Sequence, residues 1–211
     1  MELNLPLAFN HLCSNYIHDK SHKLLLLDLS SLLYSKIELV IIDLTGLMFI
    51  PMWDSNLYAL VAVEVSCCYP VGCLLKHKEE VGVAVKNIVA MLERQSGEHV
   101  KYFWSDNRTK FINLTMDLFC RKNEIIYKTT NPYLPEQNGI AEHAIAIFFE
   151  IVHYMLYMAS VDLCYWGEAF IYIVYICLLT ATSDLKNIVP HKAWTSQKPD
   201  IFYLCIWGSF G

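Results

Sequence analysis

Short apolar runs of strand length alternate along the chain with stretches whose apolar residues recur at helical spacing. The alternation starts at residue 37 and continues to about residue 182. Residues 38–43, Glu-Leu-Val-Ile-Ile-Asp, form the first run. Residues 58–65 and 71–76 are two more, rich in Val, Leu and aromatics and separated by the turn-like Ser66-Cys67-Cys68-Tyr69-Pro70. Three such runs in succession predict an antiparallel meander. Over 78–95, Val81, Val85, Ile88 and Leu92 share one helical face, and Ser96-Gly97 ends the helix. Residues 99–105 read as a fourth strand. Residues 109–123 read as a second helix, with Phe111, Leu114 and Leu118 along one face, and 124–128 as a fifth strand. A polar loop with two prolines spans 129–139, a long helix runs from about 140 to 160, and Asp162 caps another reaching about 182.

The order three strands, helix, strand, helix, strand, long helix predicts an α/β fold: a mixed five-stranded sheet flanked by helices. It matches the ribonuclease-H-like architecture, with the first strand central. The division expected along the chain is a leader and linker over 1–36, a core over 37–160 and a helical C-terminal extension over 161–211.

With 55 % hydrophobic and 18 % charged residues, the composition is that of a folded chain with a core and not of a disordered one. A net charge of −5 sits badly with a protein that grips phosphates. The eight cysteines show no disulfide spacing and most lie in apolar runs, so they read as reduced, buried thiols. The first residues, Met-Glu-Leu-Asn-Leu-Pro, lack the basic region of a signal peptide, which predicts a nuclear or cytoplasmic chain that is not secreted. The apolar stretch 169–181 has 13 residues, whereas spanning a bilayer takes about 20. It reads as a buried helix, and no membrane partner is expected.

Three acids change the picture. Asp43 ends the first run, Asp106 ends the fourth, and 35 residues separate Asp106 from Glu142 at the start of the long helix. Carboxylates at two strand ends and a helix start can converge on one point, and three of them make an oxygen-rich site for a hard cation such as Mg²⁺. Taken singly, Asp43 reads as a strand-ending turn residue, Asp106 with Asn107 as a helix cap, and Glu142 as an exposed acid.

Six segments in order resemble the integrase core of copia-type retrotransposon polyproteins. They are Glu-Leu-Val-Ile-Ile-Asp-Leu-Thr-Gly (38–46), Leu-Leu-Lys-His-Lys (74–78), Ser-Asp-Asn (105–107), Asn-Pro-Tyr-Leu-Pro-Glu-Gln-Asn-Gly-Ile-Ala-Glu (131–142), Tyr-Trp-Gly-Glu-Ala (165–169) and Ala-Trp-Thr-Ser-Gln-Lys-Pro-Asp (193–200). The resemblance implies metal-dependent DNA strand transfer, with Asp43, Asp106 and Glu142 holding two Mg²⁺ or Mn²⁺ ions. It also implies that Asn107, Gln137, Asn138, Gly139 and His143 lie near DNA. The implied partners are the element's own DNA ends and target DNA, with a homodimer as an allowed assembly.

The chain departs from this pattern in ways that bear on activity. After Ser-Asp-Asn the family has Gly-Gly-Glu-Phe, and here Arg108-Thr109-Lys110-Phe111 stands. Where the family has Asp-Asp-Phe-Ser-Arg, this chain has Glu64-Val65-Ser66-Cys67-Cys68. From 129 to 185 there is no Lys or Arg, but Glu136, Glu142, Glu150, Asp162, Glu168 and Asp184 are present. His143, Ala144, Ala146 and His153 stand where the family carries basic residues. In the leader, Cys13-Ser14-Asn15-Tyr16 breaks the family's zinc-binding C-x-x-C pair, so no zinc is expected on His11, Cys13, His18 and His22. Two readings therefore stand together: an integrase catalytic domain, and a decayed transposon fragment acting at most as a nucleic-acid- or protein-binding domain. A small membrane protein built on 148–182 is a third class.

Overall fold

A computed structural model describes residues 34–105, 114–129, 135–182 and 184–209; the side chains of 114–115, 129 and 135–143 fall outside that description. The elements are β1 (Leu39–Leu44), β2 (Tyr58–Glu64), β3 (Tyr69–Leu75), α1 (Val81–Ser96), β4 (Tyr102–Ser105), α2 (Leu114–Lys122), β5 (Ile126–Thr129), α3 (Pro135–Ala159), α4 (Trp166–Leu179) and α5 (Pro190–Thr195). The sheet order is β3-β2-β1-β4-β5. β1, β2 and β3 pair antiparallel, and β1, β4 and β5 pair parallel. This is the ribonuclease-H-like mixed sheet with β1 at its centre.

β1 is Leu-Val-Ile-Ile-Asp-Leu, buried at its first five positions. A strand covered on both faces reads as a continuous apolar run, unlike one with a wet face. Val40 and Ile42 join Leu60, Ala62 and Phe103 against Val85, Ile88 and Leu92 of α1. Leu39 and Ile41 point the other way, alongside Trp104 of β4. On that second face Val61 and Val63 of β2 meet Phe148, Ile151 and Val152 of α3 and Phe170 of α4. Gly72 of β3 makes the α4 docking close, since a Cβ there would lie 3.0 Å from Phe170 and Val174 side chains. α1 ends at Gly97, whose φ of 75° suits the left-handed cap and whose N–H reaches the Glu93 carbonyl.

The entry to β1 is strained and then pinned. Ile37 has a φ of 56°, a left-handed conformation that a β-branched residue avoids at a cost of about 1–2 kcal/mol. Its N–H donates to Glu64 Oε1 at 2.8 Å, and Glu64 is only 1 % exposed. The same carboxylate accepts from Ser66 Oγ at 2.7 Å, from Ser66 N–H at 3.2 Å and, through Oε2, from Cys67 N–H at 2.8 Å. Glu64 thus ties the strained approach to β1 to the β2–β3 turn. The sequence comparison treats this position as a replaced acid; the fold uses it as a buried latch.

Several element boundaries differ from expectation. The helix expected over 78–95 begins as a 3₁₀ turn, Lys78–Glu80, before α1. β3 starts at Tyr69, so the expected turn residues Tyr69 and Pro70 lie in the strand; β3 is an edge strand, where proline costs no ladder bond. α3 begins at Pro135, five residues earlier than the expected start at 140, because proline is pre-set for the first helical position. Gln137, Asn138 and Gly139 are therefore helical and not part of a loop. Asp162 does cap, accepting from Cys164 N–H at 2.8 Å, but it caps a 3₁₀ turn, Leu163–Tyr165, that leads into α4. α4 ends at Leu179, and no described helix is long and apolar enough to cross a membrane.

α5, absent from the sequence reading, carries Trp194 into the α1-side core. Its indole N–H donates to Gln95 Oε1 at 2.9 Å, its ring lies 4.7 Å from that of Tyr69, and the Lys36 ammonium stands 4.5 Å above it. Lys36 also donates to the Trp194 carbonyl at 2.6 Å. The far C-terminal part of the chain thereby closes on the segment that enters β1.

Replacing Glu64 with Gln should lower unfolding stability by about 1–3 kcal/mol, because the amide NH₂ must face a backbone or hydroxyl donor that the carboxylate now accepts. A urea titration checks this, and an unchanged midpoint would show that the latch contributes nothing.

Candidate active site at the end of the central strand

Strand alternation puts Asp43 on the same face as Leu39 and Ile41, the face covered by α3. Asp43 is 8 % exposed, and its Oδ1 accepts from Leu44 N–H at 2.8 Å. It pairs with Val61 of β2. The strand exit just beyond it is pinned. Thr45 N–H donates to the Ala59 carbonyl at 2.9 Å, and Ala59 N–H donates to Thr45 Oγ1 at 2.8 Å. Thr45 and Ala59 are both buried, so the backbone next to Asp43 has little slack.

β4 runs parallel to β1, with Ser105 opposite Ile42. The carboxyl ends of the two strands are neighbours, as expected for strands followed by or ending in the paired acids. Ser105 is fully buried, and its hydroxyl shares a hydrogen bond with the Tyr127 hydroxyl of β5. Asp106 and Asn107 lie outside the described residues. Glu142, Gln137, Asn138, Gly139 and His143 fall within α3, and their side chains are outside the description. Downstream of them, α3 lays Ala144, Ile147, Phe148 and Ile151 into the core on the Asp43 face. The described backbone therefore gathers the end of β1, the end of β4 and the helix bearing residue 142. Among the described residues no group of three or more His, Cys, Asp or Glu side chains could hold a metal ion. His11, Cys13, His18 and His22 also lie outside the described residues.

The electrostatics around this face are lopsided. α4 holds no basic residue, and the described outer side of α3 exposes His153 and Tyr157 without a Lys or Arg. Burial raises the Asp184 carboxyl above its ordinary range. Burial, and then the Asp184 and Glu64 carboxylates, push the Cys68 thiol up to about 12. Cations cluster elsewhere. Lys78 stands 5.6 Å over the Tyr58 ring and Lys86 stands 5.6 Å over the Phe119 ring.

Lys128 is the exception. It pairs with Trp104, which pairs with Ile41, so it shares the Asp43 face of the sheet. Its ammonium lies 5.1 Å from the Tyr102 ring centroid. A surface contact of that kind contributes about 0.5–1 kcal/mol, which does not commit the lysine. From sequence Lys128 is, with Lys76, Lys78 and Lys110, a candidate for a basic surface away from 129–185; the period-two alternation through β5 is what puts it on the Asp43 face.

No protein-family model matches the chain. It is similar to retrovirus-related Pol polyproteins of plant transposons. The match to that of transposon TNT 1-94 from Nicotiana tabacum is 26 % identical over 196 residues, 93 % of this chain and 15 % of the relative. The match to that of transposon RE2 from Arabidopsis thaliana is 24 % identical over 196 residues, 93 % of this chain and 13 % of the relative. That of transposon RE1, also from Arabidopsis thaliana, is 26 % identical over 155 residues, 74 % of this chain and 10 % of the relative. The chain thus corresponds to a small part of each polyprotein, which agrees with the retrotransposon resemblance carried by the six sequence segments.

Thr45→Val should destabilise the chain by about 1–3 kcal/mol, since it leaves the buried Ala59 N–H without its acceptor, whereas Thr45→Ser should retain wild-type stability. Thermal unfolding of the two variants checks this. A loss in Thr45→Ser with none in Thr45→Val would show that the methyl group, and not the hydroxyl, holds the strand exit.

Proposed function

We propose that the chain is the integrase catalytic region of a retrotransposon, a polynucleotidyl transferase that joins DNA by phosphodiester strand transfer. The observation that carries the reading is the parallel pairing of β1 with β4. It sets Asp43 at one strand end beside the neighbouring strand that leads to Asp106, on the face covered by the helix bearing residue 142. The similarity to Pol polyproteins supports the same reading.

The donor chemistry fits a hard divalent cation. Asp43 offers a carboxylate on a rigid strand, and Asp106 and Glu142 would supply two more oxygen donors. Mg²⁺ or Mn²⁺ held there supplies charge neutralisation at the transferring phosphate. The residues of the chain do the rest. The backbone at Asp43 is fixed by the β1–β2 ladder and by Thr45, so the carboxylate would be offered from a rigid base. Asn107, Gln137, Asn138, Gly139 and His143 would line the approach of the DNA. Lys128 would offer a phosphate contact from the same sheet face.

A second reading has its own observation. The absence of Lys and Arg from 129 to 185, with six acids in that span, removes the contacts that hold a phosphate backbone. A chain that keeps the fold and has lost the grip would be a non-catalytic remnant with weak nucleic-acid contact.

Incubating the protein with a labelled DNA oligonucleotide and Mn²⁺ separates the two. The catalytic reading expects nicking or strand joining that disappears in Asp43→Asn and Asp106→Asn. Wild-type protein no more active than these variants would leave the remnant reading.

Ala144 is buried in the core on the α3 side and cannot present a cation to DNA, but introducing Lys at His143, Ala146 and His153 should raise DNA affinity and steepen its salt dependence, by a log–log slope of about 0.9 for each new contact to duplex phosphate. Titration of labelled duplex at two salt concentrations reads this. Tight wild-type binding with a steep slope would place the basic contact surface elsewhere on the chain.

A further inference from the structure

The connection between β1 and β2, residues 45–57, is a rigid apolar prominence and not a slack loop. Met48 N–H donates to the Leu57 carbonyl and Met52 N–H to the Asn56 carbonyl, each at 3.0 Å. The Trp166 indole N–H of α4 donates to the Ile50 carbonyl at 3.0 Å. Met52 is buried against Gly167, where an added Cβ would fall 2.0 Å from its sulfur. So fastened, the segment holds Phe49 fully in solvent, at 101 % exposure, and Trp53 at 68 %. Leu47 and Ile50 are exposed beside them. Apolar side chains that a locked backbone aims at water mark a contact surface.

The surroundings say what kind of contact. The Trp53 indole N–H donates to Glu168 Oε1, while Glu168 Oε2 is shut away from water with no hydrogen-bond partner. Glu168 is thereby anchored beside the ridge and brings its negative charge there. Asp54 follows Trp53 directly, and Asp162 precedes the turn into α4. Neither 45–75 nor 129–185 contains a Lys or Arg.

We propose that this ridge docks a peptide segment of a protein partner, one that presents apolar side chains flanked by lysine or arginine. Phe49 and Trp53 supply the apolar anchors, and the negative charge of Glu168 and Asp54, with no Lys or Arg in either flanking segment, attracts the cations. A second copy meeting the ridge face to face would bring acids to acids. A nucleic acid would bring phosphates to the same carboxylates. The proposal is independent of whether the chain retains catalysis.

The test titrates the full chain, by calorimetry, with an 18-residue amphipathic peptide of leucine and lysine and with its leucine–glutamate counterpart. The leucine–lysine peptide should bind one to one and more weakly as salt rises, and the glutamate version should not bind. Phe49→Ser, at a side chain with no packing role, should weaken binding about tenfold or more with unchanged circular dichroism. Glu168→Gln should weaken it and flatten the salt dependence. Equal affinity of wild type and Phe49→Ser for the peptide would overturn the proposal. So would a wild-type dimer that Phe49→Ser renders monomeric, or Phe49-dependent binding of a dT oligonucleotide or of phosphatidylcholine vesicles in place of the peptide.

Discussion

Everything in this molecule hangs on β1, a strand with partners on both edges and apolar cover on both faces. Such a strand has one register, because a slip by one residue would exchange its two buried faces. Its ends are fixed as well. At the entry the left-handed Ile37 is held by the Glu64 carboxylate, and at the exit Thr45 and Ala59 exchange two hydrogen bonds. Asp43 therefore inherits its position from the core. A carboxylate presented in this way is an accurate fixture for charge chemistry, whatever the surrounding surface does.

That separation of core from surface explains how this chain keeps a fold while its charge pattern departs from a DNA-gripping one. The two faces of the sheet are closed by Val, Ile, Leu and Phe contacts that make no use of surface cations. Long basic side chains on an exposed helix face contribute little to folding, so His or Ala at exposed positions such as Ala146 and His153 leaves the core as it is. Phosphate binding depends on those same side chains. The fold and the binding surface can thus diverge.

Much of the architecture was legible because the strands and α1 carry strong periods. The run Leu-Val-Ile-Ile marks a strand buried on both faces, and Val81, Val85, Ile88 and Leu92 mark one helical stripe. The misses share a cause: they depend on distant partners. Trp194 lies in a six-residue helix too short to show a period, and its burial needs Lys36, Tyr69 and Gln95. Glu64 looks like an exchanged acid until Ile37 is seen donating to it. Within the candidate site, Asp43 at a strand end was readable, whereas placing Lys128 on its face required the pairing register from β5 through β4 to β1.

The central claim is that Asp43, Asp106 and Glu142 act on one cation site. Calorimetric titration of Mn²⁺ into the wild-type chain and into Asp43→Asn, Asp106→Asn and Glu142→Gln tests it without requiring turnover. The account predicts that each single substitution removes most of the Mn²⁺ affinity while the thermal unfolding midpoint stays close to wild type. Undiminished Mn²⁺ binding in any one of the three would contradict it.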